Sequence, residues 1–319
     1  MYSVLIAQPI AKEGIKKLEE AGFEVRYLTR YDPNKIKEEI ADVDGLLVRN
    51  MKISCGVIKS GKKLKVISRH GVGMENIDID VATERGIQIT NTPIANSVTV
   101  AEHVMTMILA LSKNLLIMDR NSRQGNFEIR HYLYGIELNG KTLSILGLGK
   151  IGSKLALMAK CGFGMQIICY DPYISPEKID SAIKLTEDWK EVFKQADFVS
   201  INIPLNKKTR GIVGLKELRL MKPTAFLINC ARAQIVDERE LINALQEKRI
   251  AGAGIDVYAK DPTESHPLFK FDNVIMTPHS ASHTKEAMNR MAVHAALGII
   301  EVLNNKKPSW PVNQINYKN

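Results

Sequence analysis

Three segments of the 319-residue chain place chemically useful side chains directly after short apolar runs. Arg232 ends the first (NCAR), Asp256 and Asp261 belong to the second (GIDVYAKDP), and His279 lies in the third (TPHS). Open α/β sheets bind ligands where their strands end, so we expect these side chains to share one edge of a sheet. Together they offer a fixed cation, a carboxylate and an imidazole.

This set of side chains suits hydride transfer between a secondary alcohol and a ketone. Arg232 can hold a carboxylate through two hydrogen bonds and polarise the adjacent carbonyl. His279 can give or take a proton near neutral pH, and a carboxylate such as Asp261 beside it would fix its tautomer and favour the imidazolium. Each residue alone has a simpler interpretation, since an isolated Arg caps a helix or pairs with an acid, and Asp-Pro is a turn signal. The combination favours catalysis.

The sequence GLGKIG provides glycines at 147, 149 and 152, the spacing of a dinucleotide-binding turn. The apolar run TLSIL precedes it, a helix-forming stretch follows, and the next apolar run ends at Asp171, roughly 20 residues further on. Such a turn brings the backbone close to a pyrophosphate, and the acid binds the ribose hydroxyls and repels a 2′-phosphate. No Arg or Lys follows Asp171 directly, so the motif predicts NAD rather than NADP. The alternative is a glycine-rich turn that binds no nucleotide.

Composition excludes several classes of protein. The formal charge is +9, but the basic residues are scattered among acids and no basic run alternates with aromatics, which argues against nucleic-acid binding and suits mild steering of anionic substrates. The four cysteines form no CxxC pair and have no histidine cluster beside them, so we expect neither a disulfide framework nor a metal site. The first residues do not read as a signal peptide, and no apolar run reaches the roughly 18 residues of a membrane span. These features predict a cytoplasmic protein without membrane contact.

Strands alternate with helices along the chain, which predicts parallel sheets with helices on both faces. The predicted strands of the first part are SVLIA, FEVRYL, GLLVR, LKVISR and IQIT, with helices over 12–22 and 35–41. After a boundary at NTPIANS, one long helix is predicted over 98–120. It is apolar on more than one face, so we expect it to be buried, and we favour a homodimer contact over a purely internal role. From 141 the pattern restarts with TLSIL, MQIICYD, a helix near 187–195, DFVSINIPL, AFLINCA and AGAGIDVY, and a last helix covers 283–305.

On these residues the chain resembles the D-isomer-specific 2-hydroxyacid dehydrogenases over nearly its whole length, and within them the short form of phosphoglycerate dehydrogenase. The matching stretches are RHGVGMENID, ANSVTVAEH, GKTLSILGLGKIGSKLA, INCARAQIVDERELINAL, AGAGIDVY and TPHSASHTKEA.

The resemblance implies an α/β protein of two doubly wound parallel-sheet domains, a Rossmann NAD domain inserted into a flavodoxin-like substrate domain. Residues 1–97 and 289–319 would form the substrate domain and residues 98–288 the NAD domain, with the active site in the cleft between them. Because the chain stops soon after its last predicted helix, we expect no C-terminal regulatory domain.

The resemblance also assigns roles to single residues. The catalytic set would be Arg232, Asp261 and His279, with Asp256 holding the nicotinamide amide. Cofactor contacts would come from Gly147, Gly149, Lys150, Ile151, Gly152, Asp171, Ile203, Pro204, Cys230, Ala231, Asp256 and Ser280. The substrate would be bound by Arg49, Asn50, Arg69, Gly71, Val72 and Gly73.

Three positions depart from the family pattern. Asp261 stands where the family usually has Glu, so its contact with His279 would be longer, or made through water or after domain closure. Ala233 replaces the usual Gly after the catalytic Arg and narrows the space beside it. Asn202 stands where many relatives carry a His beside the adenine cleft. The change at Asp261 puts the rate, the pH optimum and the choice of 3-phosphoglycerate as substrate in question.

The resulting prediction is NAD-dependent interconversion of a small D-2-hydroxy acid and its 2-keto acid. Candidate substrates are 3-phosphoglycerate, glycerate or hydroxypyruvate, glyoxylate and lactate. The alternative is a non-catalytic, NAD-sensing dimeric binding protein, which the intact set of Arg232, Asp261 and His279 disfavours. A formate or phosphite dehydrogenase would need a different environment for the histidine, and an acid beside it argues against the formate case.

Overall fold

The computed structural model describes residues 1–29, 32 and 34–315. The first of its two units comprises residues 1–96 and 283–319 and is built on a five-stranded parallel sheet. Its central strands are fully buried runs of Val, Ile and Leu, as expected where helices cover both faces of a parallel sheet. The elements are β1 (Ser3–Ile6), α1 (Lys12–Glu20), β2 (Glu24–Tyr27), α2 (Lys35–Glu39), β3 (Gly45–Val48), α3 (Cys55–Ser60), β4 (Val66–Arg69), α4 (Ile79–Glu84) and β5 (Gln88–Thr90). Their order in the sheet is β2-β1-β3-β4-β5, and all five strands lie where the sequence predicts them.

The second unit comprises residues 97–282 and contains a seven-stranded parallel sheet. Its elements are α5 (Ser97–Ser112), α6 (Leu115–Arg123), β6 (Thr142–Leu146), α7 (Lys150–Phe163), β7 (Gln166–Tyr170), β8 (Ile183–Leu185), α8 (Glu191–Lys194), β9 (Phe198–Ile201), α9 (Leu215–Leu220), β10 (Phe226–Asn229), α10 (Glu238–Gln246), β11 (Gly252–Ile255) and β12 (Val274–Met276). The order is β8-β7-β6-β9-β10-β11-β12. The strand order reverses between β6 and β9, and this reversal is the point where doubly wound sheets bind ligands. The predicted fold class is therefore confirmed.

The predicted long helix over 98–120 is wrong in one respect, because it consists of two helices. Helix α5 ends at Ser112, α6 begins at Leu115, and the two are bent by 59°. Asn114 at the break has a φ of +50°, a left-handed conformation that Asn tolerates better than most residues. The predicted burial is confirmed for α5, in which 11 of 16 residues are buried, whereas α6 has no buried residue.

Among the described residues, no single helix is long and apolar enough to cross a bilayer, although the bent pair α5 and α6 passes that test by length and composition. In this structure α5 packs in the core of its unit, where Val104, Ile108 and Leu111 contact the cluster that contains Leu143 and Ile145 of β6.

The second unit differs from the sequence prediction at two elements. Strand β8 was not predicted, because its sequence IKL is short and only partly buried. The helix expected near 187–195 spans only Glu191–Lys194, since the preceding residues form a turn in which Asp188 accepts a hydrogen bond from the Lys190 N–H.

The chain returns to the first unit through α11 (Lys285–Leu303), which begins with a hydrogen bond from the Ala287 N–H to the Thr284 hydroxyl. Gly14 of α1 touches this helix so closely that a Cβ there would collide with Ala292. Asn313 covers the edge of β5, accepting from the Ile89 N–H at 2.7 Å. The domain boundaries expected from the sequence remain a prediction. Residues 316–319, the end of the predicted substrate domain, lie outside the described part of the chain.

Candidate active site

The glycine turn between β6 and α7 is shaped by two of its three glycines. Gly147 has a φ of +95°, and a Cβ on it would lie 2.8 Å from the Asn202 carbonyl oxygen. A Cβ on Gly152 would collide with the Gly147 carbonyl, so this glycine lets the helix approach the strand. A Cβ on Gly149 would meet nothing within 4 Å. The space in front of Gly149 is therefore open to a ligand.

The N-terminus of α7 faces this turn without a side-chain cap. The helix begins at Lys150, and its N-cap residue Gly149 has no side chain that could accept a hydrogen bond from the first N–H groups. Those groups have no partner within the helix and carry a partial positive charge, which favours an anion. The N–H groups of the first turn, including Lys150 and Ile151, would hold a pyrophosphate, and the open space at Gly149 would let it approach.

Asp171, directly after β7, is bonded to the same turn. Its Oδ2 accepts a hydrogen bond from the Leu148 N–H at 2.9 Å, and its Oδ1 accepts one from the Tyr173 N–H at 3.0 Å. The carboxylate lines a cavity of about 560 Å³ that extends past Ile174 to Leu185. A carboxylate at the edge of a partly apolar cavity, next to an uncapped helix N-terminus, fits an adenosine.

The loop after β9 approaches the glycine turn from the other side of β6. The Ile203 side chain is the second nearest neighbour of a Cβ built on Gly147, at 2.8 Å, and Pro204 beside it is exposed. Asn202 Nδ2 donates to the Ser200 hydroxyl at 3.0 Å, so this amide turns back onto its own strand. Ile203 thus lies beside the glycine turn, and the cofactor contacts of Ile203 and Pro204 stay a prediction.

Arg232 lies in a turn that the Asn229 side chain holds at the end of β10. Asn229 Oδ1 accepts from the Ala231 N–H at 3.1 Å, and its Nδ2 donates to the Arg232 carbonyl at 3.1 Å. The Arg232 guanidinium donates through Nη1 to the Ala231 carbonyl at 2.7 Å. Ala233 follows directly and begins a short 3₁₀ helix. One edge of the guanidinium is therefore fixed against the backbone of its own turn.

Cys230 is a structural thiol in this turn. Its Sγ lies 3.8 Å from Met107 Sδ of α5. Burial, followed by the charge of Asp256, raises the pKa of the Cys230 thiol well above its usual range. The thiol is therefore protonated at neutral pH and is no nucleophile.

Asp256, directly after β11, is fully buried and organises the turn that follows β12. Its Oδ1 accepts from the Thr277 hydroxyl at 2.6 Å and from the Ser280 N–H at 2.8 Å, and its Oδ2 accepts from the Ala281 N–H at 3.0 Å. Three donors satisfy a carboxylate that would otherwise be costly to bury.

His279 lies at the centre of the turn that Asp256 holds. Its N–H donates to the Thr277 carbonyl at 2.9 Å, and its side chain is exposed. Its φ of +52° falls in the left-handed region, which costs energy for a residue with a Cβ and persists only where the surroundings impose it. The imidazole is thus presented to solvent from a rigid turn in the same unit as Arg232.

Asp261 is exposed and forms no hydrogen bond or ion pair with any residue that the structure describes. The structure therefore does not join it to His279 by a hydrogen bond, and its assigned role stays a prediction.

His103 is a residue that the sequence did not single out. Its Nε2 lies 3.1 Å from Thr277 Oγ1 and 3.7 Å from Asp256 Oδ1. Burial lowers the pKa of His103, and the charge of Asp256 opposes that shift. Nothing in the sequence near His103 could predict this contact, because its partners are more than 150 residues away.

In the first unit, the residues predicted to bind the substrate come from two neighbouring loops. Gln8 Oε1 accepts from three successive N–H groups, those of Arg49 at 3.0 Å and of Asn50 and Met51 at 2.8 Å. The Arg49 guanidinium donates to the Pro9 carbonyl at 3.1 Å and lies 3.4 Å from His283 Nε2. One side-chain oxygen thus fixes the loop that begins at Arg49.

The second loop follows β4 and is bonded to the first. Arg69 Nη2 donates to Asn50 Oδ1 at 3.3 Å, and its Nη1 donates to the His70 carbonyl. Gly71 has a φ of +139°, and a Cβ there would collide with the Arg69 guanidinium. Val72 is exposed and Gly73 follows it. Arg49, Asn50, Arg69 and the glycine loop therefore lie together at the carboxyl ends of β3 and β4.

His70, within this loop, is 3 % exposed, and its Nε2 is buried and has no hydrogen-bond partner among the residues that the structure describes. Burial and the neighbouring Arg49 and Arg69 lower the pKa of His70 to about 4. The imidazole is therefore neutral at pH 7.

The described part of the chain contains no group of His, Cys, Asp or Glu side chains that could hold a metal ion. All four cysteines are free thiols.

Comparison with known proteins agrees with this geometry. Residues 105–281 match the family model of the D-isomer-specific 2-hydroxyacid dehydrogenase NAD-binding domain. The chain is 41 % identical over 318 residues to D-3-phosphoglycerate dehydrogenase of Methanocaldococcus jannaschii, covering 99 % of this chain and 60 % of that protein. It is 37 % identical over 323 residues to glyoxylate reductase of Thermococcus litoralis, covering 98 % of this chain and 96 % of that protein.

A solved structure extends the likeness to the fold. NAD⁺-bound 3-phosphoglycerate dehydrogenase of Entamoeba histolytica superposes with a TM-score of 0.84 at 29 % identity, and 99 % of each chain is covered. The chain spans 60 % of the length of the Methanocaldococcus relative and nearly all of the Thermococcus one. Both the matched NAD-binding domain and the full-length likeness show that this chain belongs to the D-isomer-specific 2-hydroxyacid dehydrogenase family.

Proposed function

We propose that the chain is an NAD-dependent dehydrogenase that interconverts a small D-2-hydroxy acid and its 2-keto acid. The observation that supports this most is the pair of rigid turns after β10 and β12. Asn229 holds Arg232 in the first turn, and buried Asp256 holds His279 in the second. A guanidinium and an imidazole fixed in one unit, together with a dinucleotide-type glycine turn, are the groups that this reaction requires.

NAD, when bound, supplies or accepts the hydride. In the proposed site the N–H groups at the start of α7 hold its pyrophosphate and the Asp171 carboxylate accepts from its ribose hydroxyls. The negative charge of Asp171 disfavours a 2′-phosphate, so NAD is preferred over NADP. The second unit, residues 97–282, is therefore proposed as the cofactor domain.

Arg232 and His279 act on the oxygen that changes from ketone to alcohol. Arg232 donates to the substrate carboxylate and keto oxygen, which withdraws electron density from the carbon that receives the hydride. During reduction the His279 imidazolium gives its proton to the developing alkoxide, and in the reverse direction the neutral imidazole takes that proton back. Asp261 is proposed to stabilise the imidazolium.

The first unit is proposed to bind the anionic part of the substrate. Its loops offer the Arg49 guanidinium, the Asn50 amide and the N–H groups of Val72 and Gly73. The Gly71 N–H already donates to the Arg69 carbonyl at 3.0 Å, so the predicted role of Gly71 is to shape the loop. Relatives named for 3-phosphoglycerate and for glyoxylate both resemble the chain, so the substrate is sought among 3-phosphoglycerate, glycerate, glyoxylate and lactate.

The test is oxidation of NADH by each keto acid, followed at constant enzyme concentration with NADPH as the second cofactor. We expect turnover with at least one of 3-phosphohydroxypyruvate, hydroxypyruvate, glyoxylate and pyruvate, and a clear preference for NADH. The keto acid with the highest kcat/KM names the substrate. Tight NADH binding without turnover of any of these acids would contradict the proposal.

We also propose that the chain forms a homodimer through α6 and the segment that follows it. No residue of α6 is buried, although the helix carries apolar side chains. The large apolar and aromatic residues of this surface are more than half exposed: Leu115, Leu116, Phe127, Tyr132 and Tyr134. An apolar surface of this kind is favourable where a second copy covers it. Light scattering should give twice the chain mass, and Leu116→Asp with Phe127→Asp should give the monomer mass. A wild-type monomer would exclude the dimer.

Free cysteines fit a reducing compartment, so a cytoplasmic location is proposed.

A further inference from the structure

His103 belongs to a hydrogen-bonded chain that ends at the turn carrying His279. It lies on α5, its side chain is 19 % exposed, and its Nε2 is 3.1 Å from the Thr277 hydroxyl. That hydroxyl is 2.6 Å from Asp256 Oδ1. Helix α5 is thereby linked through side chains to the loops that follow β11 and β12.

The chemistry of the donors fixes the direction of this chain. Asp256 accepts from two backbone N–H groups, Ser280 and Ala281, so it acts as a carboxylate and can only accept. Thr277 must therefore donate its single hydroxyl proton to Asp256. Its oxygen then has only lone pairs to offer, and His103 has to donate from Nε2–H. Proton donation runs from His103 to Thr277 to Asp256.

The protonation state of His103 agrees with this direction. Burial lowers the pKa of His103 against the opposing effect of Asp256, which favours the neutral ring at pH 7. A neutral ring has one N–H, and the contact with Thr277 requires it on Nε2. The geometry therefore points to the Nε2–H tautomer.

The chain bears directly on the backbone around His279. The Thr277 carbonyl accepts the His279 N–H, and Asp256 holds the next two N–H groups. His279 thus lies in a left-handed conformation between two anchors, Thr277 before it and the pair Ser280 and Ala281 after it. Both anchors are bonded to the Asp256 carboxylate. His103 fixes the side chain of the first anchor, Thr277, from outside the turn.

We propose that His103 is a positioning residue for His279, acting through Thr277 and Asp256. The proposal rests on the dehydrogenase function proposed above, in which His279 transfers the proton. Without the Nε2–H donor, the Thr277 hydroxyl oxygen loses its partner and the turn gains freedom. His279 then meets the substrate oxygen less often in a productive orientation.

Kinetics separate this role from simple packing. His103→Leu fills the space without a donor, and His103→Gln replaces the donor with an amide N–H. We expect kcat to fall about tenfold in His103→Leu, the effect of one hydrogen bond with its partner left unsatisfied, with KM changed less than about twofold. His103→Gln should recover to within about threefold of wild type. Thr106→Val, which removes a hydroxyl contact one turn further along the exposed face of α5, is the control.

If kcat and thermal stability fell together in both His103 variants, His103 would act only through packing, and the proposal would be overturned. An unchanged kcat in a folded His103→Leu would do so as well.

A spectroscopic measurement tests the same chain without any turnover. Long-range ¹H–¹⁵N correlation of histidine-labelled protein reports the tautomer of each ring. We expect His103 as the neutral Nε2–H form at pH 7, and we expect the His279 ring signals to shift or broaden in Thr277→Val and His103→Leu but not in Thr106→Val. An Nδ1–H tautomer, or unchanged His279 signals, would contradict the proposal. Failure of every keto acid would count against the proposed reaction and leave this readout intact.

Discussion

The backbone N–H of Leu148 donates to the Asp171 carboxylate at 2.9 Å, so the acid at the end of β7 is bonded to the glycine turn at the end of β6. The second oxygen of the carboxylate accepts from Tyr173 at 3.0 Å. Asp171 therefore has a structural contact on each oxygen as well as its proposed contact with ribose. Its replacement should affect both the shape of the turn and the choice of cofactor.

Two variants of Asp171 distinguish these effects. Asp171→Asn keeps an oxygen for Leu148 but removes the charge, so NADPH should bind more tightly while NADH binding weakens only moderately. Asp171→Ala removes both, and the Kd for NADH should rise about 10- to 100-fold, the worth of one or two hydrogen bonds to a charged group. Titration of intrinsic fluorescence with each cofactor measures this. Unchanged discrimination between NADH and NADPH in Asp171→Asn would reject the assigned role.

The same substitution to Ala should change a different property at each of two glycines: stability at Gly152 and NADH binding at Gly149. A Cβ on Gly152 collides with the Gly147 carbonyl, whereas one on Gly149 meets nothing. Gly152→Ala should therefore lower the free energy of unfolding by about 1–3 kcal/mol. Gly149→Ala should leave stability within about 0.5 kcal/mol but weaken NADH binding. Urea unfolding and cofactor titration of both variants check this, and equal NADH affinity in Gly149→Ala and wild type would show that the open space is not the pyrophosphate site.

His279 and Asp261 should be separable by pH. His279→Gln should lower kcat/KM about 10²- to 10⁴-fold, the usual contribution of a general acid–base, and remove the limb of the pH profile that it controls. Asp261→Asn should move that limb to lower pH, because a carboxylate near the imidazole favours its charged form. If the limb stays in place in Asp261→Asn, the residue is only part of a turn. Glu264→Gln, an exposed neighbour three residues on, is the matched control.

Acid should destabilise the first unit through His70. Burial and the neighbouring Arg49 and Arg69 lower the pKa of His70 to about 4, so between pH 6.5 and 4 the folded chain binds fewer protons than the unfolded one. The free energy of unfolding therefore falls as the pH falls through this window, by on the order of 3 kcal/mol in total, and is fully retained above it. His70→Leu should lose less stability than wild type in urea unfolding between pH 7 and 4.5. An equal acid loss in His70→Leu would refute His70 as the cause.

Strong local patterns made most of the fold predictable from the sequence. Buried strands such as GLLV of β3 and TLSIL of β6 are continuous apolar runs, and the glycines at 147, 149 and 152 follow one of them directly. Strand β8 was missed because a strand of three residues, two of them half-buried and one exposed, leaves no pattern. The break at Asn114 was missed because its left-handed φ depends on one residue within an otherwise continuous apolar stretch.

The site could be predicted only in part for a physical reason. Arg232 and His279 follow apolar strands, so their position at the sheet edge can be read from local sequence. The contact of His103 with Thr277 cannot, because it depends on how α5 packs across the ends of β11 and β12. The same holds for Gln8, whose three hydrogen bonds to residues 49–51 join loops far apart in the chain.

Arg232 and His279 are proposed to assist the reduction of a 2-keto acid to the D-2-hydroxy acid by NADH. The most direct measurement couples NADH consumption to chiral analysis of the product, with a keto acid whose product is chiral, such as hydroxypyruvate or pyruvate, for wild type, Arg232→Ala and the exposed control Arg239→Ala. We predict the D enantiomer alone from wild type and Arg239→Ala, and a fall of at least about 10³-fold in kcat/KM in Arg232→Ala with NADH affinity preserved. Formation of the L enantiomer, or an Arg232→Ala variant as active as wild type, would contradict the account.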